Sequence, residues 1–422
     1  MTICPVSQIA AYVGSVGHDR HMVRSIPAVV QPRVLSWARK SIDLTEVAAA
    51  RKIGVPDARV AAWEAGEVHP TIAQLRKAAE VYKRPLAVFF LAEPPAEFDT
   101  LRDFRRLHAQ RNAGAWSAAL HEEFRRAHEQ REALLELADL DDVVPATDWR
   151  IDPLPQGDEA LARAGRELLL SIGPLALPAG GDRPYEHLNA WTAALEKAGV
   201  LVMASAGGRL PLDEMRALSL YFDVVPVILV NGADAPRGRL FSLLHEYAHL
   251  LLHTAGLCDT TTDRRATTPD RRLEARCNAL AAAMLMPRES VLAQPLVADR
   301  RRGLDNWSYQ DLRTAAAPFG VSAEALLRRL ATLGQVTGEY YSARREEFLR
   351  AYRADAERER AKGGNWYRNA VRDKGKGFVR LVTDAHHRRV IDSYTAARLL
   401  DVKTGQLDRL AMTASLADAE AV

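Results

Sequence analysis

Two histidines and a glutamate near the middle of the chain have a spacing that metal-dependent hydrolases use. His245, Glu246 and His249 lie in the run FSLLHEYAHLLLH, residues 241–253. The run contains no Gly or Pro and has leucines on both sides of the histidines, so we expect a single helix. Residues four apart share a helix face, so both imidazoles can reach one ion. Glu246 can then act as general base towards a water molecule at that ion.

A buried helix whose histidines are hydrogen-bonded within the core is the alternative interpretation. The leucines fit both interpretations, because a core helix also needs apolar positions. The chain has 12 histidines, and a chance match to His-Glu-x-x-His is expected in roughly 2% of such sequences. The order of the residues therefore favours the metal.

A catalytic zinc site needs a third protein ligand and one open position. His253 lies four residues after the second histidine, but three successive i, i+4 side chains on a straight helix do not converge on one point. Asp259 and Asp263 lie in a polar, turn-like stretch that would position them weakly. Glu274 is the better candidate, because it opens an Ala-rich run that predicts a second helix able to pack closely against the first.

The segments that carry these residues resemble the ImmA/IrrE family of metallopeptidases. The resemblance spans about a quarter of the chain, residues 188–287. It rests on five segments, which are Leu195–Val202, Pro226–Asn231, Leu240–His249, Glu274–Ala281 and Met284–Pro287. The departures are mild, since Cys277 and Leu280 stand where the family more often has Ala and Phe.

This resemblance implies a zincin-like fold and a metal site. His245, His249 and Glu274 would bind the ion, which is zinc with manganese as the other candidate, and Glu246 would be the catalytic base. The resemblance also implies that the enzyme is an endopeptidase whose substrate is a regulatory protein, typically a repressor, rather than peptides at large.

An all-helical domain is predicted between residues 29 and 95. Two short helices over 44–53 and 57–64 are joined by a turn at Gly54-Val55-Pro56, which predicts a helix-turn-helix. This turn and the sequence Trp63-Glu64-x-Gly66 resemble a lambda-repressor-like domain of the XRE type. The resemblance implies that DNA is a partner of the N-terminal domain.

Few basic residues in this domain are placed to contact DNA. The second helix of the motif presents its first residues to base edges, and Arg59 is the one obvious donor there. Arg39, Arg51 and Lys52 can add phosphate contacts. The alternative is a helical domain used for dimerisation or for binding a protein partner. The apolar run over residues 85–92 is a candidate surface for a homodimer or for contact between domains.

The rest of the chain predicts a fold that is mainly α with an α+β part. The boundaries that we expect are a disordered tail over 1–28, a helical connector over 96–150, a zincin-like metallopeptidase domain over 151–300 and a helical C-terminal region over 301–422. Arg and Glu at i, i+4 spacing make the connector typical of a solvated helix. Short apolar runs inside the peptidase domain predict a small sheet packed on the helix that carries His245 and His249.

The composition excludes several classes of protein. Hydrophobic residues make up 48% of the 422 positions and charged residues 26%, which is typical of globular proteins. Three cysteines are too few for a disulfide framework. No apolar run reaches the roughly 18 residues of a membrane span, and the N-terminal segment lacks the pattern of a signal peptide. We therefore expect a cytoplasmic protein without a membrane partner.

Two functions are consistent with this sequence. The first is a zinc-dependent endopeptidase, coupled to a helix-turn-helix regulator, that cleaves a regulatory protein such as a repressor. The second is a DNA-binding transcriptional regulator or antitoxin that uses the peptidase fold as a sensor or protein-binding platform. Metal content, promoter binding and proteolysis, each compared with Glu246→Gln, discriminate between them.

Overall fold

A computed structural model describes the chain from residue 27 to residue 419 with several gaps. The described residues are 27–42, 44–84, 86–94, 117–172, 177–178, 181–206, 210–253, 256–257, 269–299, 305–360 and 365–419. The chain divides into two units, residues 1–96 and residues 97–422. The predicted tail up to residue 26, together with Asp259 and Asp263, lies outside the described residues.

Four α-helices and one turn of 3-10 helix make up the described part of the first unit. Their bounds are α1 Pro32–Lys40, α2 Glu46–Ile53, α3 Asp57–Glu64, α4 Ile72–Tyr82 and the 3-10 turn Leu86–Phe90. Thr45 begins α2, where its side chain accepts a hydrogen bond from the Ala48 N–H. Gly54 ends α2 with φ of 80°, a left-handed conformation that glycine adopts without steric cost. The predicted pair of helices joined by a glycine turn is confirmed.

Small side chains let the helices of this unit approach closely. Ala49 and Ala50 on α2 are fully buried, and so are Leu35 on α1 and Leu75 on α4. Trp63 on α3 is only 1% exposed. These buried side chains give this short domain a defined core.

The second unit contains all the described strands and the remaining helices. The first helices described in it are α5 Ala118–Leu140, α6 Asp158–Ser171 and α7 Pro184–Lys197. The strands are β1 Leu201–Ala204, β2 Ala217–Leu220, β3 Val227–Val230 and β4 Gly256–Leu257. The central helices are α8 Pro236–Leu251 and α9 Pro269–Leu285, followed by α10 Arg288–Leu292 and α11 Pro295–Ala298. The C-terminal helices are α12 Tyr309–Ala316, α13 Ala323–Thr332, α14 Gly338–Arg360, α15 Trp366–Lys374, α16 Lys376–His387, α17 Ser393–Leu399 and α18 Leu407–Ala419, with 3-10 turns at Ala317–Phe319 and Thr404–Gln406.

The four strands form one small sheet in the order β1-β3-β2-β4. β1 is parallel to β3, and the other two pairs are antiparallel. Successive residues of each longer strand point to opposite faces, and both faces are covered by helices. Strands buried on both faces are apolar at nearly every position, which is why they appear in the sequence as short continuous apolar runs.

The sheet separates two apolar layers. One layer holds α6 to α9 with α12 and α13, and Ile228 and Val230 of β3 point into it. The other layer holds α5 and the helices from α15 onwards, and Val227 and Leu229 of β3 point into it. The fold class is confirmed as mainly α with one small sheet.

Helix α5 differs from the solvated connector that the sequence predicts. Leu120, Phe124 and Ala127 are buried in the second apolar layer. Some of the charged residues of α5 bond within the protein, as Arg126 does to Glu123 and to the main-chain oxygen of Ala204. The charged sequence therefore reflects internal ion pairs as well as solvent exposure.

The C-terminal region packs against the peptidase core. Leu312 of α12 and Leu326 of α13 lie in the first apolar layer, while Phe378 of α16 and Leu410 of α18 lie in the second. The predicted boundary at residue 300 therefore does not divide this unit. None of the described helices combines the length and the apolar character needed to cross a membrane.

Candidate metal centre

Helix α8, called the metal helix from here on, carries the two histidines. His245 and His249 are one turn apart on it, 0% and 1% exposed, and their Nε2 atoms are 3.2 Å apart. The helix packs against β2, β3, α7 and α9. A helix covered on all sides is apolar around most of its circumference, which accounts for the leucines on either side of the motif.

Helix α9, called the glutamate helix, supplies the third group. Glu274 is 2% exposed, and its Oε2 lies 3.3 Å from His245 Nε2 while its Oε1 lies 3.5 Å from His249 Nε2. The helix begins at Pro269, four residues before Leu273, where the sequence predicts its start, so Glu274 occupies its second turn. Small buried residues such as Ala281 let the two helices pack closely.

These three side chains fit a zinc ion. The two Nε2 atoms are 3.2 Å apart, Oε2 of Glu274 is 3.3 Å from His245 Nε2, and Oε1 of Glu274 is 3.5 Å from His249 Nε2. A tetrahedral ion with bonds of about 2.0–2.1 Å holds its ligand atoms about 3.3 Å apart. Two histidines and one glutamate are also a donor set of catalytic zinc sites. Among the described residues, this is the only group of His, Cys, Asp or Glu side chains close enough together to share an ion.

Charge within the triad is balanced by a proton when no ion is bound. Burial lowers the pKa of His249, but Cys277, Glu274 and Glu246 outweigh burial and raise that pKa to about 10. Burial raises the pKa of Glu274, but His245 and His249 oppose it and hold the pKa well below its usual range. A binding metal ion must displace the shared proton.

Glu246 lies beside the triad and points to the sheet. It is fully buried, and its Oε2 accepts a hydrogen bond of 2.6 Å from the Ser219 hydroxyl. Its Oε1 has no hydrogen-bond partner among the described residues. Burial raises the pKa of Glu246, against the opposing effect of His249, His245 and Ser219. One carboxylate oxygen is thus anchored, while the other is available to exchange a proton.

Two supporting side chains were not apparent from the sequence. Asn278 Oδ1 lies 2.9 Å from His245 Nδ1, and an amide oxygen can only accept, so Nδ1 carries the proton and Nε2 is left for the metal. Asn278 follows Glu274 by one helical turn, and that spacing could have identified it. Ser219 is 27 residues from Glu246 in the sequence, and only the pairing of β2 with the metal helix brings it close.

His253 lies outside the triad. It follows the end of the metal helix with φ of 56°, and its ring is exposed and stacks on Tyr221 at 5.3 Å between centroids. Its Nδ1 also lies 3.3 Å from the Tyr221 hydroxyl. The chain turns away from the helix axis at this residue, which directs the side chain to the surface.

The basic residues predicted to contact DNA fall into two groups. Arg51, Lys52 and Arg59 are exposed on the helix-turn-helix. Arg39 is instead 6% exposed, and its guanidinium donates to both carboxylate oxygens of Glu64 at 2.6 and 2.7 Å. The sequence does not reveal this ion pair, because the two residues are 25 positions apart. Arg39 therefore stabilises the domain and is not available to a phosphate group.

Comparison with known protein families gives two matches. Residues 195–331 match the IrrE N-terminal-like domain of peptidase family M78, and residues 35–89 match a helix-turn-helix domain. A search of curated proteins gives no significant match. The first match contains all the residues of the triad and its supporting side chains, and it extends beyond the predicted boundary at residue 300. The chain thus joins a metallopeptidase-like domain to a helix-turn-helix of the DNA-binding type.

Proposed function

We propose that the chain is a zinc-dependent endopeptidase coupled to a helix-turn-helix regulator, and that it cleaves a regulatory protein such as a repressor. The observation that carries the proposal is the buried cluster of His245, His249 and Glu274, in which the two Nε2 atoms lie 3.2 Å apart and each lies 3.3 to 3.5 Å from an oxygen of Glu274. Glu246 lies beside it as a buried carboxylate with one unbonded oxygen among the described residues. The match to a peptidase family over residues 195–331 supports the reaction class.

Each residue of the centre has a separate role in peptide hydrolysis. Zinc held by His245, His249 and Glu274 would supply a Lewis acid that polarises the scissile carbonyl and lowers the pKa of water. Glu246 removes a proton from the attacking water through Oε1 and later delivers that proton to the leaving amine. Ser219 holds Oε2, so the carboxylate keeps one orientation through both transfers.

The substitution Glu246→Gln tests this proposal. The amide has nearly the same shape but cannot accept the proton, so metal binding should persist while proteolysis is lost. Cells that express the full-length wild type or the variant are compared by mass spectrometry for new peptide termini, and metal content is measured on both purified proteins. Glu289→Gln, an exposed position on α10, is the matched control. Equal, nonzero proteolysis in wild type and Glu246→Gln removes Glu246 from the mechanism.

A second function is favoured by the surface of the first unit. Arg51, Lys52 and Arg59 are exposed around the helix-turn-helix, as a DNA-binding surface requires. In this alternative the chain is a DNA-binding regulator or antitoxin, and the peptidase fold serves as a sensor or protein-binding platform. A gel shift on the chain's own promoter should then weaken in Arg59→Ala and persist in Glu246→Gln. Promoter binding without cleavage of any neighbouring gene product favours this alternative over the endopeptidase.

A further inference from the structure

Three buried polar side chains follow one another along one face of the metal helix. Arg239, Ser242 and Glu246 are spaced i, i+3 and i+7, which places them on one side of the helix. They are 4%, 1% and 0% exposed. Arg239 Nε, Ser242 Oγ and Glu246 Oε1 all lack a hydrogen-bond partner among the described residues. Catalysis accounts for Glu246, but it does not account for the other two.

Arg239 is a buried cation that forms no ion pair with any of the described residues. Within the described part of the chain it forms no ion pair, and its Cζ atom lies 5.6 Å from the centre of the Tyr185 ring. Burial and the neighbouring charge of Arg372 lower its pKa. A buried charge that lacks a partner is strongly unfavourable. The described residues thus give Arg239 a ring contact but no ion pair to offset its buried charge.

The carboxylates near Arg239 are already engaged. Asp234 accepts hydrogen bonds from the Arg216 guanidinium at 3.0 Å and from the Ala235 N–H at 2.8 Å. Asp373 accepts one from Arg372 at 2.7 Å. The charges of both acids raise the pKa of Arg239, against burial and Arg372, but neither acid forms a hydrogen bond with it.

Arg239 lies near the N-terminal end of the metal helix, where an anion is favoured. The helix begins at Pro236, so Arg239 is its fourth residue, and helical side chains lean towards the N-terminus. The N-terminal end of a helix attracts anions and disfavours cations. A cation placed there, one turn from the unbonded hydroxyl of Ser242, forms a set of donors that a bound anion would satisfy.

We propose that Arg239 and Ser242 form a subsite for an oxyanion, a carboxylate or phosphate group. Seven residues of helix separate Arg239 from Glu246, or about 10 Å along the axis at about 1.5 Å per residue. An extended polypeptide covers that distance in about three residues. An acidic side chain of a polypeptide held at the metal centre can therefore reach the subsite. This source of the anion rests on the proposed peptidase function, whereas the subsite itself does not.

The first test measures anion binding through thermal unfolding of the metal-loaded, full-length chain. Inorganic sulfate is the probe, with chloride at equal ionic strength as reference. At about tenfold excess over its Kd, sulfate should raise the melting temperature of the peptidase unit by about 2–4 °C in the wild type. Arg239→Met should abolish this rise. Arg237→Met is the matched control, because Arg237 lies two residues away and is already paired with Asp182.

The same variants distinguish a binding residue from a structural one. Without sulfate, Arg239→Met should melt at the same or a higher temperature than the wild type, because methionine fills similar volume without a buried charge. Ser242→Ala keeps the charge and removes only the hydroxyl, so it should weaken sulfate binding by about tenfold. An equal sulfate response in wild type, Arg239→Met and Ser242→Ala means that there is no subsite, whatever the stability of the variants.

A second arm identifies the source of the anion. N-acetyl-glutamate N-methylamide carries the side-chain carboxylate of a polypeptide, and N-acetyl-glutamine N-methylamide is its neutral control. A shift given by the glutamate compound, absent with the glutamine compound and absent in Arg239→Met, supports an acidic residue of the substrate. A shift with sulfate alone supports a free anion. Both measurements report anion binding and do not depend on proteolysis. The subsite and the proposed peptidase function can therefore be disproved independently.

Discussion

Two buried arginines, one in each unit, differ in whether their charge is paired with a carboxylate. Arg39 in the helix-turn-helix unit is 6% exposed and is paired through two hydrogen bonds with Glu64, which raises its pKa. Arg239 in the metal helix is 4% exposed, has no such partner among the described residues, and has a lowered pKa. Burial alone therefore does not distinguish a structural charge from a functional one. The presence or absence of an ion-pair partner distinguishes them.

The largest expected effect is at the triad, where three ionisable groups share one site. Glu274→Ala removes a carboxylate that only a metal ion or a proton otherwise balances, and it should lower zinc affinity by more than about 100-fold, beyond the usual effect of a supporting residue. His253→Ala, outside the triad, should change zinc affinity far less. Competition with a chromogenic chelator measures both. If His253→Ala strips the metal and Glu274→Ala leaves it bound, the ligand assignment is wrong.

The paired arginine gives the next largest effect. Arg39→Met leaves Glu64 as a buried, unpaired carboxylate, and it should lower the free energy of unfolding of the first unit by about 3–5 kcal/mol. Hydrogen exchange of the amides in α1 to α4 measures this unit separately from the rest of the chain.

Two control variants sharpen that comparison. Arg39→Met combined with Glu64→Gln should recover much of the loss, because no charge remains buried. Arg33 is paired with Glu93 on the surface, and Arg33→Met should cost only about 0–1 kcal/mol. An effect of Arg39→Met as small as that of Arg33→Met would mean that burial of the Arg39–Glu64 pair does not change its contribution to the free energy of unfolding.

His128 is a buried titratable residue whose imidazole remains neutral. Burial, with a smaller contribution from Arg131, lowers its pKa to about 4. Between that value and an unfolded value of about 6.5, the unfolded chain binds a proton and the folded chain does not. The contribution of His128 to stability is therefore complete above about pH 6.5 and falls as the pH drops to about 4, by about 3 kcal/mol.

Denaturant unfolding of the second unit at a series of pH values measures this effect. His128→Gln should flatten the pH dependence in that window, because the substituted side chain does not titrate. His387→Gln, at an exposed position, should leave it unchanged. A pH dependence that is the same in His128→Gln and wild type would assign the proton uptake to other groups.

The smallest expected effect concerns the hydrogen bond that orients His245. Asn278→Ala removes the acceptor at 2.9 Å from Nδ1, so the tautomer that binds metal is no longer favoured. Zinc affinity should fall by about 10–100-fold. Asn278→Asp keeps an acceptor and should retain most of the affinity. If both variants bind zinc as the wild type does, the ring is held by packing alone.

The sequence predicts local features of this protein well. The helix-turn-helix, the metal helix and the positions of the two histidines all follow from residue spacing within one or two turns. Glu274 is 25 residues from His249, and it is found because an Ala-rich helix must pack against another helix. The sequence reveals neither the Ser219–Glu246 bond nor the Arg39–Glu64 pair. Both depend on how separate elements meet, so side chains that look solvated in the sequence are enclosed in the fold.

The burial of the metal helix has a consequence for the speed of the reaction. His245, Glu246, His249 and Glu274 are at most 2% exposed. A polypeptide cannot touch groups that are covered to this extent until part of the surrounding layer moves aside. In the proposed peptidase, the frequency of that opening would set an upper limit on turnover, whatever the intrinsic reactivity of the centre.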